Sequence, residues 1–322
     1  MEQTVDWEAL RRAVSVINGK GGVLKTSIVA NVAGRLALSG WRVLVVALDP
    51  NANINLDLGV GDHPGNDRGK GIVDAIWNGT PLPVVRDVRP NLDLVFGGKS
   101  LRMISKLADP SMANDLPTGG VATEFAARLA EVANGYDIVL LDCPPEDDAI
   151  QDAAVVASGW VLIPTMTDEA GFQGLFQVGP RVKRAQKINP VLRYLGIVIT
   201  AHNLQATRIH KRAVARLSEV SEVIPIFSSI IRYSKTTADD CRDRGQLAHE
   251  LAQDSEVLKA ERLQALRTRG RDSSLPLPPA LSGTANSVAD DYKQLAREIS
   301  MRITQAEEQD TPDATTGVGA QA

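Results

Sequence analysis

Aromatic residues and cysteines are scarce in this chain. Phe, Trp and Tyr make up 4% of its 322 residues, and there are two cysteines, Cys143 and Cys241. Two cysteines so far apart argue against a disulfide scaffold and are typical of a reducing compartment. No apolar run reaches the length of a membrane-spanning helix, and residues 1–12 lack the apolar centre of an export signal. These absences predict a cytoplasmic protein.

One segment of the chain has no acidic residues. The net charge of the chain is −4, which does not by itself indicate a nucleic-acid-binding protein. Between Arg181 and Ser218, however, there is no Asp or Glu, and nine basic residues occur there: Arg181, Lys183, Arg184, Lys187, Arg193, Arg208, Lys211, Arg212 and Arg216. Solvated helix faces are the more common explanation of such a run, and a surface for phosphate groups is the alternative.

Strand and helix patterns alternate along most of the sequence, which predicts an α/β fold with a mostly parallel sheet and helices on both faces. Strands are predicted at 13–18, 42–48, 92–96, 137–141, 160–164, 195–200 and 223–226, and helices at 26–38, 71–77, 121–133, 147–157, 172–187 and 208–220.

The C-terminal third departs from this alternation. Residues 236–269 are rich in helix-forming and charged residues, and 270–286 read as a Pro-rich linker. A last helix is predicted at 287–304, followed by a disordered acidic tail at 305–322. The predicted organisation is an extension at 1–12, one domain at 13–304 that contains the linker, and the tail.

The stretch from Val14 to Ser27, V-S-V-I-N-G-K-G-G-V-L-K-T-S, connects a short apolar strand to a helix through a glycine-rich turn. Glycines allow backbone N–H groups to converge on an anion, and the start of the helix adds partial positive charge. Lys25 is placed to reach the terminal phosphates of a nucleotide, and Thr26 to put its hydroxyl on Mg²⁺. The stretch therefore predicts a phosphate-binding loop.

Two aspartates follow apolar strands further along the chain. Asp49 ends V-L-V-V-A-L, and Asp142 ends I-V-L-L. An aspartate at the end of a buried strand, downstream of a phosphate loop, is the Walker B arrangement, in which the carboxylate holds Mg²⁺ directly or through water. Because the carboxyl ends of parallel strands meet at one edge of a sheet, both are expected beside the loop.

The sequences of these motifs resemble those of the ParA/MinD family of deviant Walker A ATPases, and most closely those of its ParA (Soj-like) branch. K-G-G-V-L-K-T-S resembles the family's K-G-G-V-G-K-T-T, and D-P-N-A-N from Asp49 is similar to its D-P-Q-x-N segment. Y-D-I-V-L-L-D-C-P-P, from Tyr136, is similar to its Walker B signature. The resemblance extends over about residues 13–302 and implies the P-loop NTPase fold with a helical C-terminal part.

The resemblance also implies roles for single residues. Lys20 is the signature lysine that reaches across a nucleotide-sandwich homodimer to the partner's phosphates, and it is catalytic together with Lys25 and Asp49. ATP is held by Lys20, Gly21, Gly22, Val23, Leu24, Lys25, Thr26 and Ser27, with Asn203 near the adenine. Mg²⁺ is held by Thr26, Asp49 and Asp142.

The family further implies partners. Relatives of this kind form a homodimer on ATP, bind DNA without sequence preference, and release it when a ParB-like centromere-binding protein stimulates hydrolysis. The implied DNA-binding residues are Arg181, Lys183, Arg184, Lys187, Arg208, Lys211, Arg212, Arg216 and Arg232. Phosphate neutralisation of this kind weakens steeply with salt. The expected role is plasmid or chromosome partition on the nucleoid, with no membrane partner.

Leu24 departs from the family, because glycine usually precedes the Walker lysine. If this position needs a positive φ angle, a leucine is costly there; with ordinary backbone angles the substitution changes little. With a positive φ angle at Leu24, we expect slow ATP hydrolysis, or a protein that binds nucleotide as a switch and turns it over little.

Two alternative functions stay open. A MinD-like positioning ATPase would use a basic amphipathic C-terminal helix on a membrane, whereas the chain here ends in acidic and polar residues. An iron–sulfur ATPase would need cysteines converging at a dimer interface, for which Cys143 and Cys241 are the candidates.

Overall fold

The computed structural model describes residues 4–109, 116, 120–202, 215, 217, 224–269 and 281–310. Within these residues a single eight-stranded sheet forms the centre of the protein. Its strands are β1 (Ala13–Val16), β2 (Val43–Ala47), β3 (Val84–Arg89), β4 (Leu92–Val95), β5 (Ile138–Asp142), β6 (Trp160–Thr165), β7 (Arg193–His202) and β8 (Ile226–Arg232).

The strand order is β3-β4-β2-β5-β1-β6-β7-β8. Every neighbouring pair is parallel except β3 and β4 at one edge. In the centre of the sheet, Asp142 of β5 pairs with Val16 of β1 on one side and with Ala47 of β2 on the other. This register brings the segments that follow β1 and β2 to the same edge as Asp142.

Helices cover both faces of the sheet. The described helices are α1 (Lys25–Leu38), α2 (Asn53–Asp57), α3 (Lys70–Asn78), α4 (Arg102–Leu107), α5 (Val121–Ala133), α6 (Asp148–Val156), α7 (Glu169–Ala185), α8 (Lys235–Arg244), α9 (Ala248–Arg269) and α10 (Ala285–Asp310). Helices α1, α9 and α10 pack on one face, and α3, α5, α6 and α7 on the other. The alternating side chains of β2 divide between the two cores: Leu44 and Val46 join one, Val43 and Val45 the other.

The predicted fold class is confirmed, and the central strands β1, β2, β5 and β6 lie within one or two residues of their predicted positions. Two edge strands differ. The strand β3 was not expected, because V-V-R-D-V-R is charged and its pairing with β4 is interrupted by an irregularity. The strand expected at 223–226 lies at Ile226–Arg232 instead. The helix expected at 208–220 lies outside the described residues, apart from two isolated positions.

The C-terminal helix is longer than its sequence pattern indicates. Helix α10 continues to Asp310, so the expectation of disorder is wrong for residues 305–310. The guanidinium of Arg12 donates two hydrogen bonds of 2.6 Å to the Glu307 carboxylate, and Arg193 contacts Asp310 at 2.8 Å. These ion pairs tie the last turns to the start of β1 and to β7. Residues 311–322 and 270–280 lie outside the described part of the chain.

Candidate functional site

The loop between β1 and α1 is shaped by its own side chains and by glycine. The buried Asn18 donates a hydrogen bond of 2.8 Å to the carbonyl of Pro164, and its Oδ1 accepts one of 2.8 Å from the backbone N–H of Lys20. Gly22 has a φ angle of 76°, a left-handed conformation that glycine adopts without steric cost. The loop then enters α1 with Val23 buried.

Leu24 also adopts a left-handed conformation, with φ 64° and ψ 24°, immediately before α1. For a residue with a Cβ this conformation costs roughly 1–2 kcal/mol. Of the two alternatives for Leu24, the structure therefore shows the one with a positive φ angle, in which a leucine costs free energy. Its half-buried side chain packs against the core and lines the cavity in front of the loop.

Lys25 is buried beneath the loop. Its Nζ donates hydrogen bonds of 3.1 and 2.8 Å to the carbonyls of Asn18 and Lys20. Burial lowers the pKa of this amine, and the carboxylates of Asp142 and Asp49 oppose the shift. An ammonium that has only carbonyl partners at this depth is suited to an anionic oxygen in the loop, since charge-assisted hydrogen bonds are the stronger ones.

The two strand-end aspartates and Thr26 form the acidic side of the site. Thr26 donates a hydrogen bond of 3.1 Å to Oδ1 of Asp142, while Oδ2 of Asp142 is buried and has no hydrogen-bond partner among the described residues. Burial, and then the Asp49 charge, raise the pKa of Asp142 to about 8. Asp49 is itself buried and accepts a hydrogen bond from the N–H of Asn51.

An unpartnered buried carboxylate oxygen beside a threonine hydroxyl fits a hydrated Mg²⁺ ion. The described residues contain no group of three or more His, Cys, Asp or Glu side chains arranged to hold a metal. Mg²⁺ commonly takes few ligands from the protein and the remainder from water and substrate phosphates. Thr26 and Asp142, with Asp49 nearby, therefore fit an ion that arrives with its nucleotide.

Lys20 has a different environment from Lys25. Its side chain is 27% exposed, and its Nζ lies 2.7 Å from Oδ2 of Asp168, the residue that precedes α7. Asp168 also caps that helix, because its Oδ1 accepts a hydrogen bond from the N–H of Gly171. One loop thus carries a lysine that faces its own phosphate site and a lysine at the surface.

Two adjoining cavities lie at this edge of the sheet. One, of about 270 Å³, is bounded by the glycine loop, Asp49, Asn51 and Asn53. The other, of about 150 Å³, is more apolar and extends towards Tyr233 and Tyr292. Leu24, Ser27 and Arg242 line both. The arrangement has room for phosphates on one side and a less polar group on the other.

Comparison with known proteins agrees with this geometry. A family model described as an AAA domain matches residues 11–194, more than half of the chain. The chain belongs to this ParA/MinD-type family of P-loop ATPases. It is 30% identical over 193 residues to the chromosome-partitioning ATPase Soj of Thermus thermophilus, an alignment covering 60% of this chain and 70% of Soj.

Two further similarities extend the comparison. The cell division protein PomZ of Myxococcus xanthus is 29% identical over 190 residues, which cover 58% of this chain and 56% of PomZ, so this chain spans little more than half of that relative's length. The structure of a McdA–ATP complex from Cyanothece superposes with a TM-score of 0.66 at 19% identity, covering 90% of this chain and 96% of that one. At this identity the similarity shows the shared fold.

The basic residues expected at a DNA surface divide into two groups. Arg181 is nearly buried and forms ion pairs with Asp148 and Asp152. Arg232 donates two hydrogen bonds of 2.7 Å to the Asp291 carboxylate, which raises the pKa of the guanidinium. Both guanidinium groups are thus paired with carboxylates of the same chain, and their expected DNA contacts stay predictions.

The remaining basic residues keep the hypothesis open. Lys183, Arg184 and Lys187 are exposed near the end of α7, and Arg184 lies 3.5 Å from Asp152. Arg208, Lys211, Arg212, Arg216 and the adenine candidate Asn203 lie outside the described residues.

Three residues at the site were not expected from the sequence: Asp57, Asp168 and Arg242. Asp57 and Arg242 are joined by a hydrogen bond of 2.9 Å across 185 positions. A pair so distant along the chain leaves no local pattern. For Asp168 a signal did exist, since an aspartate before a helix is a typical N-cap.

No helix of the described residues is long and apolar enough to span a membrane. The thiol of Cys143 is buried at the end of β5, and Cys241 is half-buried on α8.

Proposed function

We propose that this protein is a ParA-type ATPase that binds MgATP, pairs with a second copy and binds DNA without sequence preference in that state. The observation that carries the proposal is the contrast between its two loop lysines: Lys25 is buried under the loop, and Lys20 is partly exposed and paired with Asp168. Once that pair opens, Lys20 can serve a partner's phosphates. The names of Soj and PomZ support the family role.

In the proposed complex the backbone N–H groups of the loop and the start of α1 hold the phosphates. Lys25 exchanges its two carbonyl partners for phosphate oxygens. Thr26 and Asp142 hold Mg²⁺, which neutralises phosphate charge when bound. Asp49 orients the attacking water. Phosphoryl transfer of this kind depends on positioning and electrostatics rather than on a covalent step with the protein.

We further propose that hydrolysis is slow. Leu24 occupies a left-handed position at the cavity wall, so its Cβ and side chain stand where a glycine would leave the backbone free to approach the phosphates. The same feature favours a second candidate, a switch that binds nucleotide with little turnover. Steady-state ATP hydrolysis by the full chain, with and without DNA, separates the two.

The cargo we propose is a DNA region marked by a ParB-like protein, which would stimulate hydrolysis and release the dimer from DNA. Electrophoretic mobility shift of an arbitrary duplex with ATP, ADP and no nucleotide tests the DNA step. Binding that requires ATP and weakens with salt is the expected result. Equal binding in ATP and ADP would overturn it, and ATP-dependent sedimentation with liposomes instead of DNA would favour a MinD-like role.

A further inference from the structure

Helix α8, from the C-terminal part of the chain, carries an arginine to the phosphate site. The Nε of Arg242 donates a hydrogen bond of 2.9 Å to Oδ1 of Asp57. Asp57 is buried at the end of α2, and its Oδ2 accepts a hydrogen bond of 3.3 Å from the hydroxyl of Ser27. Ser27 follows Thr26 in the first turn of α1. A continuous chain of polar contacts therefore links α8 to the phosphate loop.

The position of α8 is fixed by a close backbone contact. Gly59, which follows α2, and Gly245, which ends α8, touch directly: a Cβ on Gly245 would lie 2.5 Å from the Cα of Gly59. Both residues have positive φ angles, 63° and 60°. With no side chain on either residue, the ends of the two helices approach as closely as backbones allow.

Arg89 bridges the two helix ends that meet at the contact between Gly59 and Gly245. Its guanidinium donates hydrogen bonds of 2.9 Å to the carbonyl of Leu58 and 3.1 Å to the carbonyl of Gly245, on the two sides of the glycine contact. Its Nε, and the same Nη2 that contacts Gly245, donate hydrogen bonds of 2.6 and 2.9 Å to the Glu250 carboxylate. Helix α8 is thus held in a defined position relative to α2, and Arg242 with it.

Arg242 lies between the two cavities. It lines both the phosphate cavity and the more apolar cavity beside it, together with Leu24 and Ser27. Its side chain is 48% exposed, and within the described residues its contact with Asp57 uses Nε alone. The two terminal nitrogens of the guanidinium remain as donors at the junction of the cavities, in the planar geometry that suits a phosphate.

We propose that Arg242 is a nucleotide-binding residue that contacts the inner phosphates, where the phosphate chain meets the ribose. This inference rests on the proposed function, because it takes ATP as the occupant of the two cavities. A nucleotide that places its outer phosphates over Lys25 and its base in the apolar cavity passes the guanidinium at this junction. Arg242 then holds ATP and ADP alike.

Affinities of the full chain for MgATP and MgADP, measured by isothermal titration calorimetry, test the assignment. Loss of a charge-assisted hydrogen bond corresponds to about a tenfold or greater weakening, so Arg242→Ala should weaken both nucleotides by about that factor. Arg244→Ala is the matched control, since Arg244 is exposed two residues further along α8 and should bind as the wild type does. Wild-type affinity in Arg242→Ala would overturn the proposal.

The double variant Arg242→Ala/Asp57→Asn separates binding from a purely structural role. In Arg242→Ala the buried Asp57 loses its cation, which can loosen α2 and the loop; Asp57→Asn removes that unpaired charge. If Arg242 contacts the nucleotide, the double variant regains thermal stability but stays weak for ATP and ADP. Recovery of affinity along with stability would instead show that Arg242 only neutralises Asp57.

Lys25→Ala keeps this test distinct from that of the proposed function. A wild-type chain that binds neither nucleotide, or a Lys25→Ala variant that binds both normally, would contradict the proposed function itself. If the wild type binds both nucleotides, Lys25→Ala binds them weakly, and Arg242→Ala loses ATP but keeps ADP, the proposed function stands and the assigned position is overturned, because the contact would lie at the terminal phosphate.

Discussion

The ammonium group of Lys20 lies 2.7 Å from the carboxylate of Asp168 within the same chain. This pair lowers the pKa of Asp168. If Lys20 has to reach a partner's phosphates, the intramolecular pair must open first, and its free energy is subtracted from that of dimer formation. Since the side chains are 27% and 50% exposed, solvent screens the pair and its contribution is small.

Asp168→Asn should therefore tighten the ATP-dependent dimer. Each exposed pair contributes about 0.2–1 kcal/mol, and a homodimer opens two of them, which corresponds to a dissociation constant about twofold to thirtyfold lower. Asparagine removes the charge but still caps α7. Sedimentation velocity in MgATP measures the change. In a Lys20→Ala background the same substitution should have no effect; an equal effect there would mean that Lys20 is not involved.

Leu24→Gly should hydrolyse ATP faster than the wild type. If the Cβ of Leu24 costs about 1 kcal/mol more when the loop closes on the transition state than in the free loop, its removal corresponds to about a fivefold higher turnover number. Leu24→Ala is the matched control, because alanine keeps the Cβ at the positive φ angle while removing the rest of the side chain. A rise in both variants would assign the effect to side-chain bulk, and no rise in either would show that Leu24 does not limit the rate.

Lys183→Ala/Lys187→Ala should weaken DNA binding in ATP and reduce its salt dependence. Each phosphate contact contributes about 0.9 to the slope of log K against log salt on duplex DNA, so the slope should fall by about 2 per chain. Fluorescence anisotropy at several salt concentrations measures it. Lys259→Ala, an exposed lysine on α9, is the control. An unchanged slope would remove the end of α7 from the DNA surface.

Acid should destabilise the fold partly through His249. Burial lowers the pKa of this imidazole, the cations Arg35 and Arg89 add to the shift, and Glu250 opposes it. Its Nδ1 is buried and finds no hydrogen-bond partner in the part of the chain that the structure describes. Because the unfolded chain binds the proton more readily, stability should fall as the pH drops through about 6.5, the ordinary histidine value.

Thermal unfolding of wild type and His249→Gln between pH 8 and pH 5.5 checks this expectation. The wild type should lose more of its midpoint temperature over this interval than the variant does. Parallel curves for the two proteins would mean that other groups account for the whole pH dependence.

Glu307→Gln should destabilise the fold although the sequence places this residue in a tail. It removes the carboxylate that accepts both hydrogen bonds from Arg12. Both side chains are partly exposed, so the expected loss is about 0.5–1 kcal/mol, or about 1–3 °C in Tm. Differential scanning calorimetry measures it. Glu308→Gln, at the exposed neighbouring position, should leave Tm unchanged, and equal shifts in the two variants would contradict the role of the pair.

The sequence identifies the centre of this fold better than its edges. Runs such as V-L-V-V-A at β2 are buried on both faces, and burial of this kind leaves a continuous apolar signal. The edge strand β3, V-V-R-D-V-R, is half charged, lacks a strict alternation and pairs irregularly with β4, so its signal is weak. Helix α10 extends beyond its apolar pattern because its last turns are held by ion pairs to Arg12 and Arg193, which lie far away in the sequence.

The same distinction applies to the site. Lys25, Thr26, Asp49 and Asp142 belong to motifs, and the strand register brings their segments to one edge as expected. Arg232 shows the opposite case. Its guanidinium is paired with Asp291, 59 residues away, and this pairing arises from the packing of α10 against β8. Likewise, the steric cost of a positive φ angle at Leu24 can be predicted from the residue type. The angle itself cannot, because it is a property of the folded loop.

The place of β1 in the sheet has a consequence for synthesis of the chain. This strand is made before the other described strands of the sheet, yet both of its neighbours, β5 and β6, come more than a hundred residues later. Until residue 142 has been made, β1 lacks a partner on either side and the glycine loop lacks its carboxylate. Contacts of such long sequence separation form slowly, and a nascent N-terminal strand without partners is exposed to aggregation. The nucleotide site is therefore complete only after β5 has been translated.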